Sequence, residues 1–155
     1  KHLQGRHRDH VSWERMVPGP GLAALYDFFM ERPGAEAPQW WDEARQSAEP
    51  AAAIATAADS GEDEHAAAAL DLFMELYGAE AGNFALKILA TGGIYLGGGI
   101  APKLAKAMKN SKFVERFDAK GRMRGLVEQI PIRIVLNDSA ALQGAALYAA
   151  THAGP

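Results

Sequence analysis

The chain has 155 residues, enough for about one domain, and its hydrophobic fraction of 48% is enough for a real core. The net charge of −3 gives no basic field for nucleic acid or an anionic membrane, and no apolar run approaches the roughly 20 residues that span a bilayer. The absence of cysteine excludes disulfides, thiol catalysis and cysteine-ligated zinc, and it fits a cytoplasmic protein.

The chain opens at Lys1 without a signal-peptide core, and this basic segment is expected to be the end of a helix cut from something longer. A short helix is predicted from Ser12, a possible N-cap. His10 and Glu14 lie one helical turn apart and could bind a metal ion, but no third ligand is evident. Capping or packing is therefore favoured, and no metal site is predicted.

Apolar residues at i, i+3, i+4 and i+7 from Leu22 predict a helix over residues 22–31. Residues 33–49 are rich in Pro, Ala and acidic side chains and predict a surface loop. The Trp40–Trp41 pair in it either pins the loop to the core or forms a partner contact. An alanine-dense helix is predicted over residues 51–58.

The next helix is predicted over residues 62–89. Ser60 followed by Asp63 resembles a capping box, so the acidic residues there indicate a helix start rather than a metal site. Gly78 and Gly82 inside this helix predict a bend or a close helix crossing.

A short buried strand is predicted over residues 94–96, followed by three glycines, Gly97, Gly98 and Gly99, and a helix over residues 101–110. Such a turn places bare backbone beside a helix N-terminus, as in many nucleotide sites. Close strand–helix packing is the alternative for this stretch.

Two short helices over residues 113–117 and 122–128, a strand over 130–136 and a helix over 140–151 complete the pattern. The order of strands and helices predicts parallel strands joined by crossover helices. Two strands cannot make a stable doubly wound sheet, so residues outside this chain are expected to complete it.

Four segments, residues 10–22, 82–86, 92–102 and 130–144, together resemble the C-terminal portion of bacterial ATP-dependent glucokinases, in the hexokinase branch of the actin-like ATPase fold. The resemblance implies an α/β fold: an incomplete large lobe of an actin-like ATPase (ribonuclease H-like) fold, helix-rich with a few parallel strands. Residues 1–155 would then form the C-terminal part of the large lobe, without the small lobe and the phosphate loops.

The resemblance also implies residue roles. Glu14 matches a family glutamate that binds sugar hydroxyls. Without the resemblance, the local sequence favours a first-turn acid that stabilises a helix. Nucleotide contact is implied for five glycines: Gly19, Gly21, Gly97, Gly98 and Gly99. Pro18 stands where the family usually has a serine, so a hydroxyl donor is lost there.

The resemblance further implies a glucokinase that transfers the ATP γ-phosphate to glucose O6 in glycolysis, uses Mg²⁺, acts in the cytoplasm and forms a homodimer through the large lobe. The catalytic aspartate and phosphate loops would lie before Lys1, so no catalytic residue is expected in this chain, and the chain alone is expected to be inactive. A kinase-derived sugar-responsive repressor lobe and a non-catalytic α/β interaction module are the alternatives.

Overall fold

A computed structural model describes residues 19–137 and 139–152 of the chain. The elements, in chain order, are α1 Gly19–Met30, α2 Gln39–Ala44, α3 Pro50–Ser60, α4 Glu64–Lys87, β1 Ile94–Leu96, α5 Ala105–Lys109, α6 Phe113–Asp118, a 3₁₀ turn Gly121–Met123, α7 Arg124–Val127, β2 Ile132–Ile134 and α8 Ala140–His152. The helices at 22–31, 51–58, 62–89 and 140–151 predicted from the sequence are all present, with ends that differ by at most three residues.

The core lies where α1, α3 and α6 pack against the long helix α4. Its largest fully buried side chains include Tyr26 of α1, Ile54 of α3, Phe73 of α4 and Phe113 of α6. Each comes from the apolar stripe of its helix, so burial of these stripes is the main force that holds the helices together.

Gly78 and Gly82 mark a close helix crossing, the second of the two predicted possibilities. A Cβ at Gly78 would overlap the carbonyl oxygen of Phe113, and one at Gly82 would overlap that of Phe117. The backbone of α6 therefore lies directly against α4, a position that only glycine allows.

The two strands pair in parallel, as predicted, with Ile94 opposite Ile132 and Leu96 opposite Ile134. Among the described residues they form a two-stranded sheet. β2 has three regular residues rather than the predicted seven. Its late start follows from Pro131, which has no N–H for the ladder, although the Pro131 carbonyl accepts from the Ile94 N–H at 2.8 Å.

The predicted surface loop over residues 33–49 contains a short helix, α2. Trp41 on α2 is 2% exposed, and its Nε1 donates to the Asp27 carboxylate at 3.1 Å. Burial of the indole against α1 gives this segment a fixed place, so the tryptophan pair pins it to the core.

The predicted capping box at Ser60 is wrong. Ser60 ends α3, and its hydroxyl donates to the Ala57 carbonyl at 2.9 Å. Asp63 is the N-cap of α4, because its Oδ1 accepts from the N–H groups of His65 and Ala66, both at 2.9 Å. Ser60 and Asp63 are both of residue types that cap helices. The chain reversal at Gly61, with φ of 74°, separates Ser60 from the start of α4.

The helix predicted from residue 101 begins at Ala105 instead. Residues 98–104 form bends and turns, although the Leu104 N–H already donates to the Ile100 carbonyl at 3.0 Å. The Ala105 N–H donates to the Pro102 carbonyl, three residues earlier, at 3.3 Å, so a tighter turn precedes the regular helix. The glycine turn is therefore followed by a helix of five residues, too short for a strong N-terminal dipole.

Within residues 19–137 and 139–152, no helix is both long enough and apolar enough to cross a membrane. The same part of the chain contains no cluster of three or more histidine, aspartate or glutamate side chains that could hold a metal ion.

Candidate functional site

A cavity of about 510 Å³ lies between the first half of α1, the start of α3 and the segment after the glycine turn. α1 contributes Pro20, Ala23, Ala24 and Asp27 to its wall. The facing wall is made by residues 48–52, and the third side by Gly99, Ile100, Lys103 and Leu104. Apolar side chains, several of them alanines, dominate the lining, and the volume is that of an ordinary small-molecule pocket.

The structure brings two of the predicted glycine segments to this one cavity. Pro20, which lies between Gly19 and Gly21, and Gly99 both line it. Gly21 is buried in the first turn of α1. Two stretches that are more than seventy residues apart in sequence therefore meet at the same wall, through the packing of α1 and α3 on α4.

The three consecutive glycines differ in their backbone conformation and in the space around them. Gly98 has φ of +87°, a left-handed conformation that other residues rarely adopt. Gly97 has only ordinary contact distances to Val135, and a side chain at Gly99 would meet open space. The turn thus requires glycine at position 98, while glycine at 99 leaves the cavity wall without a side chain.

Charged groups lie at the cavity but do not fill it. Lys103 Nζ bonds to the Glu49 carboxylate, which joins two sides of the cavity. Asp27 accepts from the Trp41 indole, which fixes its carboxylate toward α2. The cavity therefore offers an apolar slot with an ion pair beside it rather than a cluster of catalytic carboxylates.

A polar network behind the cavity holds α1 against α4. The Tyr26 hydroxyl donates to Asp63 Oδ2 at 2.6 Å, so one carboxylate caps α4 and anchors α1. Burial of Tyr26 is the larger cause, and its hydrogen bond to Asp63 the smaller, of a phenol pKa well above the usual range. The phenol stays protonated and remains a donor at all ordinary pH values.

A second polar cluster joins α4 to α6 away from the cavity. Arg116 donates to Glu75 Oε2 from Nε at 2.8 Å and from Nη2 at 2.5 Å. The Nζ of Lys112 lies 3.3 Å from Oε1 of the same carboxylate. The hydrogen bonds from Arg116 hold the pKa of Glu75 below its usual value despite partial desolvation. This cluster explains the attachment of α6 and carries no sign of a ligand site.

Four positions singled out from the sequence lie outside the described residues: His10, Ser12, Glu14 and Pro18. Other residues of the cavity were not found from the sequence, in particular residues 48–52 and Lys103. The Pro- and Ala-rich composition of residues 33–49 indicated only a loop, and no local signal places the start of α3 opposite the glycine turn.

The fold matches part of a solved glucokinase. The crystal structure of a glucokinase from an Antarctic psychrotroph superposes with a TM-score of 0.77 and 37% sequence identity, over 99% of this chain and 44% of that one. The described part of the chain is therefore a helix-rich α/β unit with two parallel strands that corresponds to part of an actin-like ATPase fold, as the resemblance implied.

Sequence comparison defines the family. The glucokinase family model matches residues 1–152. The glucokinase of Nostoc punctiforme is 47% identical over 162 aligned positions, which cover 97% of this chain and 48% of that protein. The Synechocystis glucokinase is 42% identical over 90% of this chain and 42% of its own length.

The chain belongs to the glucokinase family. It spans about half the length of the curated relatives it matches.

Proposed function

We propose that this chain supplies the adenosine pocket and part of the sugar site of an ATP-dependent glucokinase, which transfers the γ-phosphate of ATP to glucose O6 in glycolysis. The observation that carries the proposal is that Pro20 and Gly99 line the same cavity. Each belongs to one of the two glycine segments in which nucleotide contacts are expected. Family membership over residues 1–152 favours the kinase over a repressor lobe or an interaction module.

The cavity wall fits an adenine ring better than a phosphate chain. Ala23, Ala24 and Ile100 provide apolar surface for a flat base, and Lys103, the cavity-lining cation, is already paired with Glu49. The glycine turn and the first turn of α1 let backbone approach the ribose and the α-phosphate without a side chain in the way. Gly19, Gly21, Gly97, Gly98 and Gly99 are the proposed nucleotide-binding positions.

Glu14 is the proposed sugar-binding residue, since an ionised carboxylate accepts hydrogen bonds from two hydroxyls of a polyol. Mg²⁺ would neutralise the phosphates of ATP when bound, held mainly through residues outside this chain. We expect the 155-residue chain alone to be inactive, because the base and the phosphate clamps of the family lie in the other half.

The cavity is tested by filling it in the intact kinase. Ala24→Phe places a ring in the slot and is expected to raise the KM for ATP at least tenfold, while the KM for glucose changes little. Ala67→Phe is the matched control, because Ala67 is also a half-buried helical alanine but lies on α4 away from the cavity. Equal ATP KM values for the two variants would contradict the adenosine assignment.

The activity itself is tested with a coupled assay on the intact protein, over several hexoses and nucleotides with Mg²⁺. Glucose and ATP are the expected substrates, and no turnover with any sugar would refute the kinase proposal. The purified 155-residue chain is the control and should show no turnover. A homodimer and a cytoplasmic location are also proposed for the intact protein, to be measured by light scattering and cell fractionation.

A further inference from the structure

An ion pair joins two walls of the cavity. The Lys103 Nζ, in the segment after the glycine turn, donates to the carboxylate of Glu49 at the start of α3. The two side chains are 44% and 60% exposed, so a ligand that enters the cavity can reach both of them. Exposed ion pairs contribute little to the stability of a fold, so the chief effect of this pair is to place a carboxylate and an ammonium group at the cavity.

Glu49 is held in place through its backbone and does not cap its own helix. Its N–H donates to Ser47 Oγ at 3.2 Å, and that hydroxyl donates to the Ala44 carbonyl at 2.7 Å. Glu49 stands at the N-cap of α3, but its side chain accepts no hydrogen bond from the first turn of the helix. The carboxylate is therefore directed across the cavity toward Lys103.

The pair also supplies polar groups to a mostly apolar lining. Among the described residues of the lining, the third polar side chain is Asp27, whose carboxylate accepts from the Trp41 indole at 3.1 Å. A carboxylate has about four lone-pair sites, and the Lys103 ammonium occupies one of those on Glu49. Glu49 can thus accept further hydrogen bonds from a ligand while it remains paired with Lys103.

Of the parts of a nucleotide, the ribose fits this pair best. A phosphate would be attracted by the Lys103 ammonium but repelled by the Glu49 carboxylate bonded to it. The adenine ring is flat and suits the apolar wall. The vicinal hydroxyls of ribose are neutral, and each can donate to one carboxylate oxygen, so they can bind the pair without breaking it.

We propose that Glu49 recognises the ribose hydroxyls of ATP, and that Lys103 is a positioning residue that holds the Glu49 carboxylate across the cavity. The pair then makes the kinase selective for ribonucleotides over deoxyribonucleotides. This inference rests on the proposed function, because it takes the cavity as the adenosine pocket. It adds two side chains, both outside the glycine segments, that set nucleotide specificity.

The test is steady-state kinetics of the intact kinase with ATP, 2′-deoxy-ATP and 3′-deoxy-ATP at saturating glucose. The readout is the ratio of kcat/KM for ATP to that for each deoxynucleotide, because a purely structural change lowers all three values alike and leaves the ratios unchanged. Each deoxynucleotide lacks one hydroxyl. The wild-type kinase should therefore prefer ATP about tenfold or more, which is the effect of one charge-assisted hydrogen bond.

Variants of the pair separate the two roles. Glu49→Ala removes the acceptor and should bring both ratios to within about twofold of one. Lys103→Met keeps the apolar stem in the cavity and should lower the ratios to a lesser extent, since the carboxylate is present but no longer held. In the double variant the ratios should equal those of Glu49→Ala, because Lys103 acts through Glu49.

Asp59→Ala is the matched control. The Asp59 carboxylate, at the other end of α3, accepts from Lys106 Nζ at 2.8 and 3.0 Å. This second ion pair joins α3 to α5, just after Lys103, but neither of its residues lines the cavity. The control variant should therefore leave both ratios at the wild-type value.

If the wild-type kinase uses either deoxynucleotide as well as ATP, the proposal is overturned while the proposed function stands. Equal losses for all three nucleotides in Glu49→Ala would also overturn it, because the role of Glu49 would then be structural. So would unchanged ratios in Lys103→Met together with a higher KM for every nucleotide, which would assign Lys103 to the phosphates. Absence of turnover with every nucleotide would refute the proposed function and this inference with it.

Discussion

Asp63 is expected to be the most sensitive polar residue of the described fold, because one carboxylate performs two tasks. Its Oδ1 caps α4 through two backbone N–H groups, and its Oδ2 accepts from the fully buried Tyr26. Asp63→Ala removes the cap, which costs about 1 kcal/mol. It also leaves the Tyr26 hydroxyl buried without its acceptor, which costs about 1–3 kcal/mol.

The two losses together predict a decrease of about 2–4 kcal/mol in the free energy of unfolding. For a chain of this size, each kcal/mol corresponds to about 2–4 °C in Tm. The assay is thermal and urea unfolding of the 155-residue chain, followed by circular dichroism. Asp63→Asn should lose less, since asparagine caps helices about as well as aspartate.

Ser60→Ala is the matched control, because the sequence alone assigns the cap to Ser60. The structure places its hydroxyl on the exposed end of α3, where removal should cost under about 0.5 kcal/mol. The reasoning is refuted if Ser60→Ala destabilises the chain as much as Asp63→Ala, or if Asp63→Ala changes the Tm by less than the error of the measurement.

Three further predictions concern packing, pH and sugar binding. Gly78→Ala should destabilise the chain by about 1–3 kcal/mol, because the new Cβ overlaps the α6 backbone, whereas Gly125→Ala meets open space and should be neutral or slightly stabilising in urea unfolding. The pKa of Glu75 is lowered by Arg116, so its contribution is complete above the ordinary pKa of 4.5 and is lost as the pH falls through the lower folded value. Glu75→Gln should therefore flatten the acid limb of stability against pH, and an unchanged limb would show that the pair contributes nothing. Under the proposed function, Glu14→Gln in the intact protein should raise the glucose KM strongly and leave the ATP KM and the Tm nearly unchanged. An unchanged glucose KM together with a clear loss of thermal stability would assign Glu14 to a structural role in its helix.

Local pattern was enough for the helices and strands with a strong apolar period. The stripe from Leu22 predicts α1, the run at residues 94–96 predicts β1, and the alanine-rich segment after residue 140 predicts α8. In each of these, the hydrophobic period and the turn residues agree, so neighbours in sequence decide the structure. The ordered motifs were also enough for the family, because four short segments in one order are far more specific than any one of them.

Tertiary structure decided the features for which local signals were ambiguous. Ser60 and Asp63 are both good N-caps, and the fold selects Asp63 because the Tyr26 hydroxyl reaches its second oxygen. Trp41 sits in a segment of loop-like composition, and burial against α1 makes that segment helical. In both places a long-range contact outweighs a propensity worth less than about 1 kcal/mol.

The cavity is the clearest case of a feature that the sequence alone could not define. Glycines 19, 21 and 97–99 could be singled out from the sequence, because a turn without side chains has a recognisable composition. That Pro20 and Gly99 line one slot, and that residues 48–52 close it, depends on how α1 and α3 pack on α4. The sequence determines which backbone segments have no side chains. Only the packing of distant helices determines what those segments face, because such contacts depend on the burial of whole apolar faces and not on neighbouring residues.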